Sequence, residues 1–143
     1  MLKLLVPVDG SGSSGRAVDH LIKKLGWFKD GAEIHLLNVQ PSVPYGNRVS
    51  SVIGHDQLAQ YHQEEGKAAL KNAMHKLDAA KLKYHYHIGV GQEAEVICQY
   101  AKEKHCDQIF MGTRGLGSIS NLILGSVANK VIHLSPVPVL LVK

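Results

Sequence analysis

Several things are scarce in this chain of 143 residues, and each scarcity closes a route. There are two cysteines, two phenylalanines and one tryptophan. Cys98 and Cys106, placed on or just past one helix, would stand about 12 Å apart at a rise of about 1.5 Å per residue, which is too far for a disulfide. They read instead as small buried or half-buried thiols of a reducing compartment. With so few aromatic rings there is little to stack on bases. The net charge of +4 comes from dispersed lysines (Lys23, Lys24, Lys67, Lys71, Lys81, Lys83, Lys102, Lys104), with no block of like charge. That distribution argues against a nucleic-acid surface. No apolar run approaches the roughly 18 residues of a membrane span. The opening Met1–Val8 is too short for a signal sequence with its flanks, so a cytoplasmic protein is expected.

Catalytic signatures are also missing. There is no G-x-x-x-x-G-K-[ST], hence no P-loop lysine. An H-I-G-H signature and an S-G-G pyrophosphate core, as carried by adenylyl-transfer enzymes, are lacking too. A receiver domain needs an aspartate ending its third strand and an acidic pair after its first. Gly89-Val90-Gly91 and the single Asp9 exclude both.

What is present is an alternation of apolar runs and helical stripes. Leu2–Val8, Ile34–Val39, Tyr84–Val90, Gln108–Met111 and Val137–Val142 read as five strands. Ala17, Leu21 and Leu25 form one helical stripe. A long helix is expected from about His55 to Ala80, another over Ala94, Ile97, Cys98 and Ala101, and a last from Gly125 to about Leu134. Gln40–Gly54, with Pro41, Pro44 and Gly46, reads as a loop. This rhythm predicts an α/β protein with a doubly wound five-stranded parallel sheet, order 3-2-1-4-5, and helices on both faces. Residues 1–143 are expected to form a single domain.

In such a sheet a ligand binds beyond the carboxyl ends of the strands, where the winding reverses. For this order the loops at that point are Asp9–Gly15 and Gly112–Gly125, and both are rich in glycine. The first, Gly10-Ser11-Gly12-Ser13-Ser14-Gly15, matches the dinucleotide spacing G-x-G-x-x-G after a strand. Three features speak against that role. The end of the second strand, Leu36-Leu37-Asn38-Val39-Gln40, lacks the acid that holds ribose hydroxyls. Asp9 puts a carboxylate where a pyrophosphate would approach. The chain also has only half the length of the usual dinucleotide fold. A flexible turn with Ser13 or Ser14 as helix N-cap explains the loop more simply.

The second loop is longer than the 2 to 6 residues usual for such connections. Gly112, Gly115 and Gly117 let backbone N–H groups approach an anion. Gly125-Ser126 then opens a helix and adds its free N–H groups and dipole. Ser126 offers a hydroxyl and Arg114 a charge. The structural alternative is an Ω-like loop packed on Leu116, Ile119, Leu122 and Ile123. Phosphate binding is the preferred reading.

Gly112-x-x-Gly115, nine residues and Gly125-Ser126 together resemble the G-x2-G-x9-G-[S/T] motif of the ATP-binding branch of universal stress proteins. Val6-Pro7-Val8-Asp9-Gly10-Ser11 resembles the family's first strand and its acidic residue. Leu37-Asn38-Val39 resembles the end of its second strand, and Ser135–Val142 its closing strand. The resemblance covers the whole chain. It implies that Pro7, Val8 and Asp9 face the adenosine, and that Val39 holds the adenine through its backbone. Met111 and Gly112 would line the ribose and first phosphate. Thr113, Arg114 and Gly115 would meet the phosphates, and Gly125, Ser126 and Val127 close around the tail. The ligand implied is ATP, or AMP or ADP, with Mg²⁺, in a homodimeric stress or regulatory protein. At most slow ATP hydrolysis is expected, with Asp9 as the residue to suspect.

The last strand leaves an apolar edge, which predicts a dimer through Val137–Val142, and Pro138 is tolerated there. Of the nine histidines, His85 and His87 share one strand face, and His55 and His62 stand one heptad apart. Neither pair has an evident third ligand, so metal binding is not expected. Two readings of different class remain: a nucleotide-loaded regulator, and a dimeric interaction module that uses the Gln40–Gly54 loop and needs no nucleotide.

Overall fold

A computed structural model describes residues 1–42, 54–115 and 123–143. The elements run β1 (Leu2–Pro7), α1 (Gly12–Lys24), a 3-10 turn (Leu25–Trp27), β2 (Ala32–Gln40), α2 (His55–Ala79), β3 (Tyr84–Val90), α3 (Glu93–Glu103), β4 (Gln108–Gly112), α4 (Ser126–Leu134) and β5 (Val139–Val142). The strands form one sheet in the order β3-β2-β1-β4-β5, and every pairing is parallel. Fold class and order are as expected. The last strand begins at Val139, two residues later than predicted; Pro138 precedes it, its carbonyl accepting from the Ile109 amide at 2.9 Å. Segments 43–53 and 116–122 lie outside the described residues, and with them most of the Gln40–Gly54 loop, Gly117, Leu116, Ile119 and Leu122.

β1 is central because it is apolar on both faces: Leu4, Leu5 and Val6 are all fully buried. Alternate residues face opposite layers. Leu4 and Val6 join Val18, Leu21, Leu70, Ala73, Leu77 and Phe110 under α1 and α2. Leu5 joins Leu37, Ala94, Ile97, Cys98, Ile109, Met111 and Val131 under α3 and α4. Truncating a fully buried leucine of this kind costs about 2–5 kcal/mol. Cys98 and Cys106 are free and buried, and burial raises the pKa of both thiols.

Helix ends follow local chemistry. The N-cap of α1 is Ser11, not Ser13 or Ser14: its side chain accepts from the Ser14 amide at 3.2 Å. Ser11 lies where the backbone is still extended, as a cap requires, whereas Ser13 and Ser14 are already inside the helix and buried. Lys23 and Lys24 end α1 where positive charge suits the dipole. On α2, Gly66 permits close packing, since a Cβ there would come within 2.7 Å of the Ile88 side chain. Among the described residues no helix is long and apolar enough to cross a membrane.

Candidate functional site

The carboxyl ends of β1, β2 and β4 open into a cleft of about 740 Å³, mouth included. It sits at the point where the winding reverses, with β1 between β2 and β4. β1 contributes Pro7 and, just past it, Val8 and Asp9; β2 contributes Leu37 and Val39; β4 contributes Met111 and Gly112. Arg114 and Gly115 follow from the second glycine loop, and Gly125, Ser126 and Val127 come from the start of α4.

Of the nucleotide-site residues that the family resemblance implies, all of them among the described residues, Thr113 alone is outside this lining. It is buried, and its backbone is a latch: its amide donates to the Val142 carbonyl at 3.0 Å, and its carbonyl accepts from Gly125 at 2.6 Å. The latch joins β4, β5 and the start of α4, and so fixes the two ends of the second loop against each other. Sequence reasoning missed Glu93, Ile97, Ser14, Leu37 and Ala128 on the cleft wall. A helix-start glutamate beyond β3 carries no motif; only the topology brings it opposite Asp9.

The two glycine loops touch, and this explains the second one's glycines. Ser13, at the start of α1, lies under Gly112, and its hydroxyl accepts from the Arg114 amide at 3.2 Å. A Cβ on Gly112 would overlap Ser13 Oγ and stand 2.7 Å from the Ser13 carbonyl carbon. A Cβ on Gly115 would lie 2.6 Å from Asp9 Oδ2, so glycine there lets the chain pass close to that carboxylate. Asp9 is held from behind, since its Oδ1 accepts from the Ser11 amide at 2.9 Å. Asn38 stands near where a dinucleotide protein places its ribose acid. It is buried and donates to the Val8 carbonyl at 2.8 Å, while the Val8 amide donates to Leu37 at 2.8 Å. Those bonds lock the ends of β1 and β2 together beneath the cleft.

Electrostatically the cleft is mixed. Glu93 has its pKa raised from the ordinary 4.5, first by burial and then by the charge of Asp9. Arg114 adds a positive charge to the lining. At the start of α4, Gly125 is the N-cap with extended backbone, and no side chain among the described residues caps the helix. The first-turn N–H groups of α4 therefore point their partial positive charge at the cleft.

Fold and site thus define a doubly wound α/β protein with a ligand cleft at its switch point, framed by a glycine loop and a helix N-terminus. The universal stress protein family profile matches residues 1–143. The chain belongs to the universal stress protein family. It is 32% identical over 150 residues to universal stress protein YxiE of Bacillus subtilis, covering 99% of this chain and 98% of that one. Among solved structures, protein MJ0577 superimposes with a TM-score of 0.80 at 30% identity, covering 99% of this chain and 95% of that one. MJ0577 is itself a universal stress protein, from Methanocaldococcus jannaschii. A universal stress protein in complex with cAMP superimposes with a TM-score of 0.70 at 25% identity, covering 99% of this chain and 97% of that one.

Proposed function

We propose that this protein binds an adenine nucleotide, ATP foremost with AMP or ADP as shorter ligands, and serves as a nucleotide-loaded regulator in a stress response. The observation that carries the reading is the convergence of Gly112, Gly115 and Gly125 with the start of α4, which no described side chain caps, on one cleft. The cAMP complex of a family member supports the adenine class. Pro7, Val8 and Asp9 face the adenosine, and Val39 meets the adenine through its backbone. Met111 and Gly112 line the ribose and first phosphate. Arg114, Gly115, Gly125, Ser126 and Val127 take the phosphate chain, with Thr113 holding the loop ends together.

The donor set also fits a hard divalent cation. Asp9 and Glu93 both line the cleft, and Glu93 feels the charge of Asp9. Carboxylate oxygens beside nucleotide phosphates are the ligands Mg²⁺ prefers. When bound, the ion would neutralise phosphate charge. In the reading proposed here, Asp9 and Glu93 would hold it, and Arg114 would complement the remaining negative charge. Turnover stays far below the roughly 10 per second of ordinary enzymes, with Asp9 as the residue on which any hydrolysis depends.

A dimer through β5 belongs to the same proposal. Val139–Val142 pairs with β4 on one side, and Leu134 is exposed close by. Pairing with a second β5 would satisfy that edge, and a monomer in sedimentation at micromolar concentration would contradict it. Calorimetric titration with ATP and Mg²⁺, with NADH as comparison, tests the main reading. One ATP site per chain of micromolar affinity and no NADH binding are expected. Failure to bind ATP would favour an interaction module instead.

A further inference from the structure

Away from the cleft, the parallel pairing of β2 with β3 sets His35 directly beside His85. Glu33, two residues earlier on β2, faces the same side. The ligand atoms of Glu33, His35 and His85 all lie within 4.8 Å of one another. The third ligand that His85 lacks in the linear sequence is therefore supplied by the neighbouring strand. We propose that Glu33, His35 and His85 form a binding site for a divalent transition metal of the zinc class on the β3 edge of the sheet.

The geometry is close to what such an ion requires. With metal–ligand distances near 2.0–2.1 Å, ligand atoms of a tetrahedral zinc site stand about 3.3 Å apart. Glu33 Oε1 lies 2.6 Å from His35 Nε2 and 4.0 Å from His85 Nε2, so modest side-chain rotations bring the three into place. Those rotations are available. The Glu33 and His85 side chains are 39% and 61% exposed, while His35 at 8% is the fixed anchor. Two imidazoles and a carboxylate are a borderline donor set that suits zinc and its neighbours over magnesium or calcium.

The surroundings supply the orienting partner that metal-bound histidines use. His35 Nδ1 lies 3.0 Å from His87 Nε2, and His87 packs on the Tyr100 ring with centroids 4.8 Å apart. With the His35 proton on Nδ1 and donated to His87, the Nε2 lone pair faces Glu33. A metal ion placed there takes over the position of the hydrogen bond that joins His35 Nε2 and Glu33 Oε1 at 2.6 Å in the metal-free protein. Lys3 is the competing charge, with its Nζ 4.0 Å from Glu33 Oε1, but it also donates to the Lys104 carbonyl at 3.0 Å. Three protein ligands leave the fourth position to water.

The site occupies the opening half of β2, whereas the cleft uses Leu37 and Val39 near its end. The two can therefore be tested separately. Competition of the full chain with a chromophoric chelator for Zn²⁺ should show one equivalent bound. His85→Ala and Glu33→Gln, both at exposed positions, should each weaken binding at least 10-fold. His87→Gln, which removes only the orienting partner, should weaken it about 10-fold. His55→Ala, on the opposite layer, should leave it unchanged, and the ATP affinity of His85→Ala should equal that of the parent. Absence of stoichiometric Zn²⁺ binding, or binding undiminished in His85→Ala, would overturn the proposal.

Discussion

The two glycine loops at the top of the sheet have similar composition and opposite use. In the first, three backbone donors are occupied within the loop itself: the Ser11 amide by Asp9 Oδ1 at 2.9 Å, the Ser14 amide by Ser11 Oγ at 3.2 Å, and the Gly15 amide by the Ser11 carbonyl at 3.1 Å. Gly10, with φ +86°, is needed to turn the chain. In the second loop, Gly112 and Gly115 make room for Ser13 and Asp9, and Gly125 begins a helix that no described side chain caps. The first loop serves as the platform for the second. Glycine spacing reports where a backbone can come close; in both loops several N–H groups are bonded within the protein, and it is the start of α4 that brings helix-end donors to the cleft.

Four substitutions can break or sharpen that contrast. Gly125→Val should have the largest effect. Its Cβ would press on the Arg114 and Thr113 backbone at 3.3 Å and shift the loop that borders the cleft, so ATP affinity measured by calorimetry should fall about 100-fold, or about 2.7 kcal/mol. Gly112→Ala comes next. Its Cβ meets Ser13, so urea unfolding should show a loss of about 2–3 kcal/mol by overpacking. Ser11→Ala removes the α1 cap and should cost about 1 kcal/mol of stability while leaving ATP affinity unchanged. If the first loop held the phosphates, affinity would fall with it.

The smallest effect concerns Glu93→Gln. The folded state holds this proton more tightly than the unfolded chain, because Glu93's pKa is raised above 4.5. Stability of the parent should therefore decline as pH rises from 4.5 through that raised value. The glutamine variant should lack this decline, so the stability difference between the two proteins should grow toward neutral pH. Urea midpoints across that range would check it.

The fold was legible because β1, with Leu4, Leu5 and Val6 buried on both faces, cannot be anything but an interior strand. The strand order followed from the alternation of strands and helices and the handedness of their crossovers. The cleft was legible through Gly112, Gly115 and Gly125, whose spacing is a local pattern. Glu93 was not, because its role depends on a neighbour more than eighty residues away. The α1 cap was misplaced for a related reason: three serines compete, and backbone conformation rather than sequence selects Ser11. The Glu33–His35–His85 cluster needed the strand register. Each pair read alone lacks a partner, and only the pairing of His35 with His85 supplies one.

The most direct test is amide mapping by NMR as ATP and Mg²⁺ are added. The account predicts large shifts at Gly115, Ser126 and Val127 and little change at Gly12 and Gly15. Large shifts at Gly12 and Gly15 with α4 silent would contradict it and return the phosphates to the first loop.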